Sequence, residues 1–425
     1  MCRLCCIGMF ATMLIQFTHA GTVEEARIAM AAQHMPAVVT ALNEQVQAFE
    51  SAWKAAQDAR GTLQLAQNTG LALWQAAKTR LRTTQDFDDR PLYWARLQIT
   101  QTMRDTAPGF PIFPGDREAA LNAFEHASRG MDGAAMPSAS NTLRIVLTGF
   151  DPFLLDWHID QSNPAGVVAL MLDNTDIPFT NAAGQPGLVH VSTAIFPVRF
   201  ADFDAGMVEG FLSPRFGVRK QAAADWLDAA RERLGGAQAS ATSASPDVDM
   251  VMTVSMGDLV DTFKVEHYSG RRRSTKAPDN LNLFSGGTLA NPIPPKLDNR
   301  LLQGAEFTES SLPISALVAT PGHFKVMDNR WVRISPDARY LPDSLTALFN
   351  KTAFEGGGGG YLSNEISYRS LRLRDALGLH ALPVGHLHTP LLLGFEPAGN
   401  AAVVAQVKAM IASAAAAISK MPASR

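Results

Sequence analysis

The pattern of apolar and polar positions divides the chain in two. Residues 21 to about 135 read as helical throughout. Val23–Ala59 is rich in Ala, Glu, Gln and Met with Pro36 as its one proline, and Leu63–Leu81 continues in the same manner. Asp88-Asp89-Arg90-Pro91 reads as a helix start, with Pro in the first turn. The following Leu92–Met103 puts Trp94, Leu97 and Met103 on a core face. Three prolines within Ala107–Pro114 end this region, and Gly130–Ser140 reads as a linker. The pattern then changes to short β-rich runs: Thr142–Leu147, followed at once by Thr148-Gly149-Phe150, then Val189–Phe196 and Asp249–Val254, with weaker runs at Ala316–Thr320 and Ala381–Leu387. Helical stretches lie between them, notably Pro164–Leu172 and Arg219–Leu234, and the alanine-rich tail Ala401–Ile418 has high helix propensity. Strands alternating with helices predict an α/β fold, a three-layer α/β/α open sheet with an added helical N-terminal region. The expected division is 1–20, 21–140 and 141–425. Leu281–Glu309 and Asp328–Asp343 read as loop insertions.

One stretch organises the second half: Gly356–Leu371, reading GGGGGYLSNEISYRSL. A flexible glycine run delivers Tyr361-Leu362, then Ser363-Asn364, then a helical pattern in which Leu362 and Ile366, and Tyr368 and Leu371, share faces. A hydroxyl in the first turn of a helix sits among unpaired backbone N–H groups at a positive dipole end. That environment suits a nucleophile and also an ordinary N-cap serine, which is the reading local chemistry alone favours.

Charge and composition narrow the partners. A net charge of −3 over 425 residues, with no basic stripe interleaved with aromatics, gives no expectation of nucleic acid. Arg271-Arg272-Arg273 reads as a solvated loop. The N-terminus, MCRLCCIGMFATMLIQFTHA, has a positive Arg3, an apolar Leu4–Phe17 and a small-x-small-like Thr18-His19-Ala20. It reads as a secretory signal peptide over 1–20, the alternative being a buried or membrane-anchored helix. Cys2, Cys5 and Cys6 are the chain's three cysteines and all lie in it. Once cleaved, the chain has no thiol for disulfides, metals or nucleophilic catalysis. Export to a periplasmic or extracellular setting follows, with no membrane association after cleavage. No second hydrophobic run reads as long enough to span a bilayer.

Three places hold groups that can cooperate: Ser363, the segment His386-Leu387-His388-Thr389-Pro390, and Glu266. A hydroxyl, an imidazole and a carboxylate are the parts of a nucleophilic triad, although spacing alone does not bring them together. Four blocks in order around these residues resemble pyroglutamyl peptidase I, the cysteine amidase that removes N-terminal pyroglutamate. Val146–Phe153 carries the family's TGFxPF turn, with Asn163-Pro164 as its NP pair. Phe196-Pro197-Val198 is similar to LPV. Glu266 is followed ten residues on by a basic residue, here Lys276, and then by Pro278-Asp279-Asn280. Tyr361-Leu362-Ser363-Asn364 with Tyr368 parallels (Y/F)-(L/V)-C-N-xxx-Y, and His388-Thr389-Pro390 parallels HVP. The resemblance covers residues 141 to about 395. It implies a phosphorylase/hydrolase-like sheet with Ser363 at the nucleophile position, His388 as base and Glu266 orienting it. It further implies that Phe150, Phe153, Tyr361 and Leu362 line a pocket for a pyrrolidone ring and that Lys276 sits near the developing oxyanion. The implied substrate is a peptide or small amide, with no cofactor.

The departures from the family matter as much. Its FGG is replaced by Phe153-Leu154-Leu155-Asp156-Trp157-His158, the ring-reading Gln by Met256, and the nucleophilic cysteine by serine. A serine hydroxyl cannot ionise in advance and needs a well-aligned base, for which a glutamate behind the histidine is suited. Two function classes therefore stand: an amide or ester hydrolase acting through an acyl-serine, and a catalytically inactive binding protein of the same fold. His386-x-His388 with Asp156–Asp160 is a further candidate, for a metal, without HExxH or cysteine support; His386 otherwise reads as a packing histidine. The glycine run lacks the Lys-Ser/Thr of a phosphate loop.

Overall fold

The computed structural model describes residues 21–133, 142–218 and 246–419. The predicted signal segment, most of the linker and the predicted helix Arg219–Leu234 lie outside the described residues. A seven-stranded mixed sheet is formed by β1 (Thr142–Phe150), β2 (Thr175–Thr180), β3 (Pro186–Phe196), β4 (Met250–Met256), β5 (Thr262–Glu266), β6 (Lys325–Asn329) and β7 (Val384–Thr389), in the order β6-β5-β7-β4-β1-β3-β2. The central β7, β4, β1 and β3 run parallel. β5 lies antiparallel to β7 and carries β6 parallel to itself, and β2 closes the other side antiparallel to β3.

Strand alternation separates the two faces. Ile145, Leu147, Met252, Val254, Val265 and Leu387 join one core, while Val146, Phe150, Val251 and Val384 join another. The first face is covered by Pro164–Leu172 and Pro397–Ile418, the second by Met207–Arg215 and Leu362–Ala376. This is the expected layered α/β arrangement. The N-terminal helices, chiefly Asn43–Ala55, Ala59–Thr84, Arg90–Asp105 and Pro114–Ala127, share the first core: Trp53, Leu73, Trp74, Leu92 and Phe124 belong to the cluster that holds Ile145 and Val168. Asp173 pins the two parts together. It accepts from Trp74 Nε1 at 3.0 Å, Lys78 Nζ at 2.6 Å and the Thr193 N–H at 2.9 Å.

Several sequence expectations are corrected. Ala316–Thr320 is not a strand: Ile314–Val318 is helical. Thr148-Gly149-Phe150 continues β1, with Phe150 in register with Phe196, instead of turning away. The tail helix Pro397–Ile418 is long and apolar enough, by length and composition, to cross a membrane. Here Val403, Val407, Met410 and Ile411 are buried in the core under the sheet.

Candidate active site

The site is built on the carboxyl ends of β4 and β7. Their parallel register sets His386 beside Thr253 and His388 beside Ser255. β5, on the other side of β7, sets Glu266 beside His386 and Lys264 beside His388. With a period of two, these six polar side chains fall on one face, opposite the apolar Val254, Leu387 and Val265. His388 Nδ1 donates to Glu266 Oε1 at 2.7 Å, and both groups are buried. Glu266 Oε2 accepts from Asn329 Nδ2 at 2.7 Å, and the same Asn329 amide reaches the Gly357 carbonyl at 3.1 Å. A carboxylate only accepts, so the proton sits on Nδ1 and the lone pair on Nε2.

The glycine run is a packed strip, not a flexible approach. Gly356 and Gly359 exchange two backbone hydrogen bonds at 3.1 and 3.0 Å, and Gly359 has φ of +82°. A Cβ on Gly357 would lie 2.3 Å from Glu266 Oε2. One on Gly358 would lie 3.2 Å from both His388 Cε1 and Asn364 Cα, so Gly358 touches both the imidazole and the start of the next helix. That helix, Leu362–Ala376, has Tyr361 as its N-cap with no side-chain cap bond. Ser363 therefore lies inside the first turn and is not the cap. Its hydroxyl donates to the Gly358 carbonyl at 3.2 Å, and among the described residues no hydrogen bond joins it to His388. Glu365 N–H begins the helical ladder on the Tyr361 carbonyl, which leaves the N–H groups of Leu362, Ser363 and Asn364 ahead of it as helix-terminal donors. Asn364 locks this turn to the short strand Tyr268–Gly270 by bonds to Gly270 N–H and C=O at 2.9 and 2.7 Å. Behind it, buried Glu365 accepts from Arg273 at 2.6 Å and Arg369 at 2.8 Å.

A cleft opens beside Ser363. Phe150, Phe153, Met256, Tyr361 and Leu362 line it, together with Asn163, Val198 and Ser255. Tyr361 is held by a bond from its hydroxyl to the Pro278 carbonyl at 2.8 Å and by an edge contact with Phe200 at 5.6 Å. Lys276 does not join the lining. It is exposed, on a loop fastened at Ser274 to the Gly360 carbonyl and at Pro278 to Tyr361. Lys264 is instead the lysine next to His388, paired with Asp258 at 2.5 Å. His386 is fully buried with both ring nitrogens 2.8 Å from hydroxyls, those of Thr253 and Ser255. Asp156 is taken up by Arg27 at 2.6 Å. The sequence reading missed Ser255, Asn163, Val198 and Asn329. Only Asn163 and Val198 carried a signal, as members of the NP and Phe-Pro-Val blocks.

Known relatives supply the family. Residues 11–125 match the family model of the PA0049 N-terminal domain, and residues 328–393 that of the PA0049 C-terminal domain. The uncharacterized protein PA0049 of Pseudomonas aeruginosa is 30% identical over 400 residues, spanning 78% of this chain and 70% of that protein. Among solved structures, a mutant pyrrolidone carboxyl peptidase from Pyrococcus furiosus is similar at 18% identity and a TM-score of 0.37, over 65% of this chain and 100% of that one. The enzyme from Thermococcus litoralis is similar at 16% identity and a TM-score of 0.38, over 65% and 96%. At 30% identity across more than two thirds of the Pseudomonas protein, and with both of its domains matched in order, the chain belongs to the PA0049 family.

Proposed function

We propose that this protein is a hydrolase that removes an N-terminal pyroglutamyl-like group through an acyl-enzyme on Ser363, with His388 as base and Glu266 orienting it. One observation carries the reading: the buried His388–Glu266 pair and the first-turn Ser363 both abut Gly358, beside a cleft lined by Phe150, Phe153, Tyr361 and Leu362. In this mechanism Ser363 Oγ turns from the Gly358 carbonyl to His388 Nε2. It gives up its proton there as it bonds to the scissile carbonyl carbon, and Glu266 holds the resulting imidazolium. The carbonyl oxygen becomes an oxyanion near the helix-terminal N–H groups. Collapse breaks the C–N bond, and the amine leaves with the proton from His388. Water then repeats the sequence on the ester, restoring Ser363 and releasing the acid. The three aromatics and Leu362 suit a small, flat, largely apolar ring. The chain is proposed to act after export, with residues 1–20 as its signal, and the reaction calls on no cofactor.

The second reading is a binding protein without turnover, favoured by the bond from Ser363 Oγ to the Gly358 carbonyl in place of His388. A fluorogenic pyroglutamyl amide incubated with the wild-type and Ser363→Ala proteins separates the two. Turnover abolished by alanine, together with fluorophosphonate labelling at Ser363, is the expected result. No turnover of amides or simple esters, and no labelling, leaves the binding protein.

A further inference from the structure

A hydroxyl–imidazole contact lies beside the same cleft, which Ser255 lines. Ser255 Oγ lies 2.8 Å from His386 Nε2, and His386 Nδ1 lies 2.8 Å from Thr253 Oγ1. Thr253 Oγ1 also donates to the Gly385 carbonyl at 3.2 Å. A carbonyl only accepts, and threonine has one proton to give. Thr253 Oγ1 therefore accepts from Nδ1–H, Nε2 is left as a lone pair, and the Ser255 proton is committed to it. The chain runs one way, from Ser255 through His386 and Thr253 to Gly385.

This polarity bears on what Ser255 can do. A nucleophilic serine needs a base that can hold its proton. His386 is fully buried, makes no hydrogen bond to a carboxylate, and has the His388 ring at 4.7 Å with Glu266 and Lys264 on the adjacent β5. Burial, then His388 and Lys264, push its pKa well below the usual histidine range, so an imidazolium there is strongly disfavoured. Ser255 keeps its proton and spends it on His386. What it turns to the cleft is a pair of oxygen lone pairs, beside a Met256 thioether that is a poor acceptor.

We infer that Ser255 is a specificity-determining residue whose oxygen accepts a hydrogen bond from an N–H of the ring seated in the cleft, so that a lactam is selected over the matching lactone. This rests on the proposed reading of the cleft as a site for pyroglutamyl-like groups. It concerns residues on β4 and β7 that the Ser363–His388–Glu266 mechanism leaves idle.

The probes are 2-pyrrolidone and γ-butyrolactone, rings of equal size that differ in N–H against O. Their binding to the full chain is followed by NMR titration, alongside turnover of a pyroglutamyl amide. The wild-type protein is expected to bind the lactam about tenfold more tightly, the scale of one unmade hydrogen bond to a buried acceptor. Ser255→Ala should weaken lactam binding until the two rings are equal. Ser255→Thr should keep the preference, and Ser255→Cys, a poorer acceptor of similar size, should give an intermediate ratio even if alanine disturbs the strand. Binding of neither ring, equal binding by the wild type, lactone preference from a reversed hydroxyl chain, or a preference untouched in Ser255→Ala would each overturn the inference. A Ser255-dependent lactam preference with no pyroglutamyl turnover in any form would sink the hydrolase reading and leave this one standing.

Discussion

At the scale of single residues, the question is whether oxygen at position 363 can be activated. A thiol, with a reference pKa of about 8.5, can be ionised in advance by a neighbouring imidazole. A hydroxyl cannot, and depends on a base whose lone pair stays on the correct nitrogen. Glu266 secures that arrangement by accepting from His388 Nδ1 with one oxygen and from Asn329 Nδ2 with the other. Glu266→Gln offers one acceptor where two are used. Asn329 is also tied to the Gly357 carbonyl, so the new amide oxygen turns to Asn329 and its NH2 turns to His388. The imidazole then carries its proton on Nε2 and is lost as a base. kcat should fall by roughly 10³–10⁴-fold with KM little changed, as expected when a triad tautomer is reversed. Nitrogen NMR shifts of His388 should report the exchanged tautomer, and an unchanged kcat would remove Glu266 from the mechanism.

At the scale of elements, the glycine run depends on what surrounds it, and part of that frame is Glu306. Its carboxylate accepts from Arg272 at 2.8 and 3.0 Å, from Arg271, and from the Ala353 N–H at 2.9 Å, tying Arg271-Arg272 to the segment that enters the glycines. Burial works to raise its pKa, but the bonds from Arg272, Ala353 N–H and Arg271 outweigh it and hold the carboxyl at about 2. The folded pKa lies below the unfolded one, so this stabilisation is complete above about pH 4.5 and is lost as pH falls through about 2. Glu306→Gln should cost about 2 kcal/mol at pH 7, from the loss of charge-assisted bonds, and should flatten the fall in stability between pH 4.5 and 2. Urea unfolding across that range measures both, and an identical slope in the variant would contradict the assignment. The sequence shows such elements unevenly. β1, β3 and β4 are legible because buried strands are largely apolar runs, and β7, with His386 and His388 on one face, only weakly so. β2, with Pro178 in its middle, and the short, polar-bearing β5 and β6 owe their pairing to neighbours the local pattern does not contain. Ala316–Thr320 is too short for its periodicity to tell strand from helix. The same limit applies to the site. Ser363, His388 and Glu266 are visible as residue types within ordered blocks. The His386–Ser255 contact joins positions 131 apart, and no local signal marks it. Asn329 sat inside what reads as a loop insertion.

At the scale of the whole molecule, the helical N-terminal region is part of the site's foundation. Asp151, between Phe150 at the end of β1 and Phe153, is buried between Arg96 and Arg129, with Arg129 at 2.6 Å. Asp89 accepts from Ser162 Oγ at 2.8 Å and from the Asn163 N–H at 3.2 Å, next to the cleft-lining Asn163 side chain. Arg27 donates to Asp156 at 2.6 Å and to the Asn280 carbonyl at 2.6 Å, while Asn280 Nδ2 holds the Pro152 carbonyl at 2.9 Å. Four side chains from residues 21–133 thus fix two loops around one cleft, that of residues 151–163 and the one carrying Asn280, over an apolar core that includes Trp74, Leu81 and Leu92 against the sheet helices. A buried carboxylate that loses its partners costs on the order of 3–5 kcal/mol, a large share of a domain's total stability of about 5–15 kcal/mol. The α/β region expressed without residues 21–133 would expose that core and strip Asp151 of both its cations, Arg96 and Arg129. It is expected to be insoluble, or to unfold without a cooperative thermal transition. Supplying residues 21–133 as a separate chain should restore solubility and ligand binding together, since the same contacts provide both. A soluble, cooperatively folding 142–425 fragment that still binds 2-pyrrolidone would show instead that the helices are an appendage, and would return the cleft's geometry to the sheet alone.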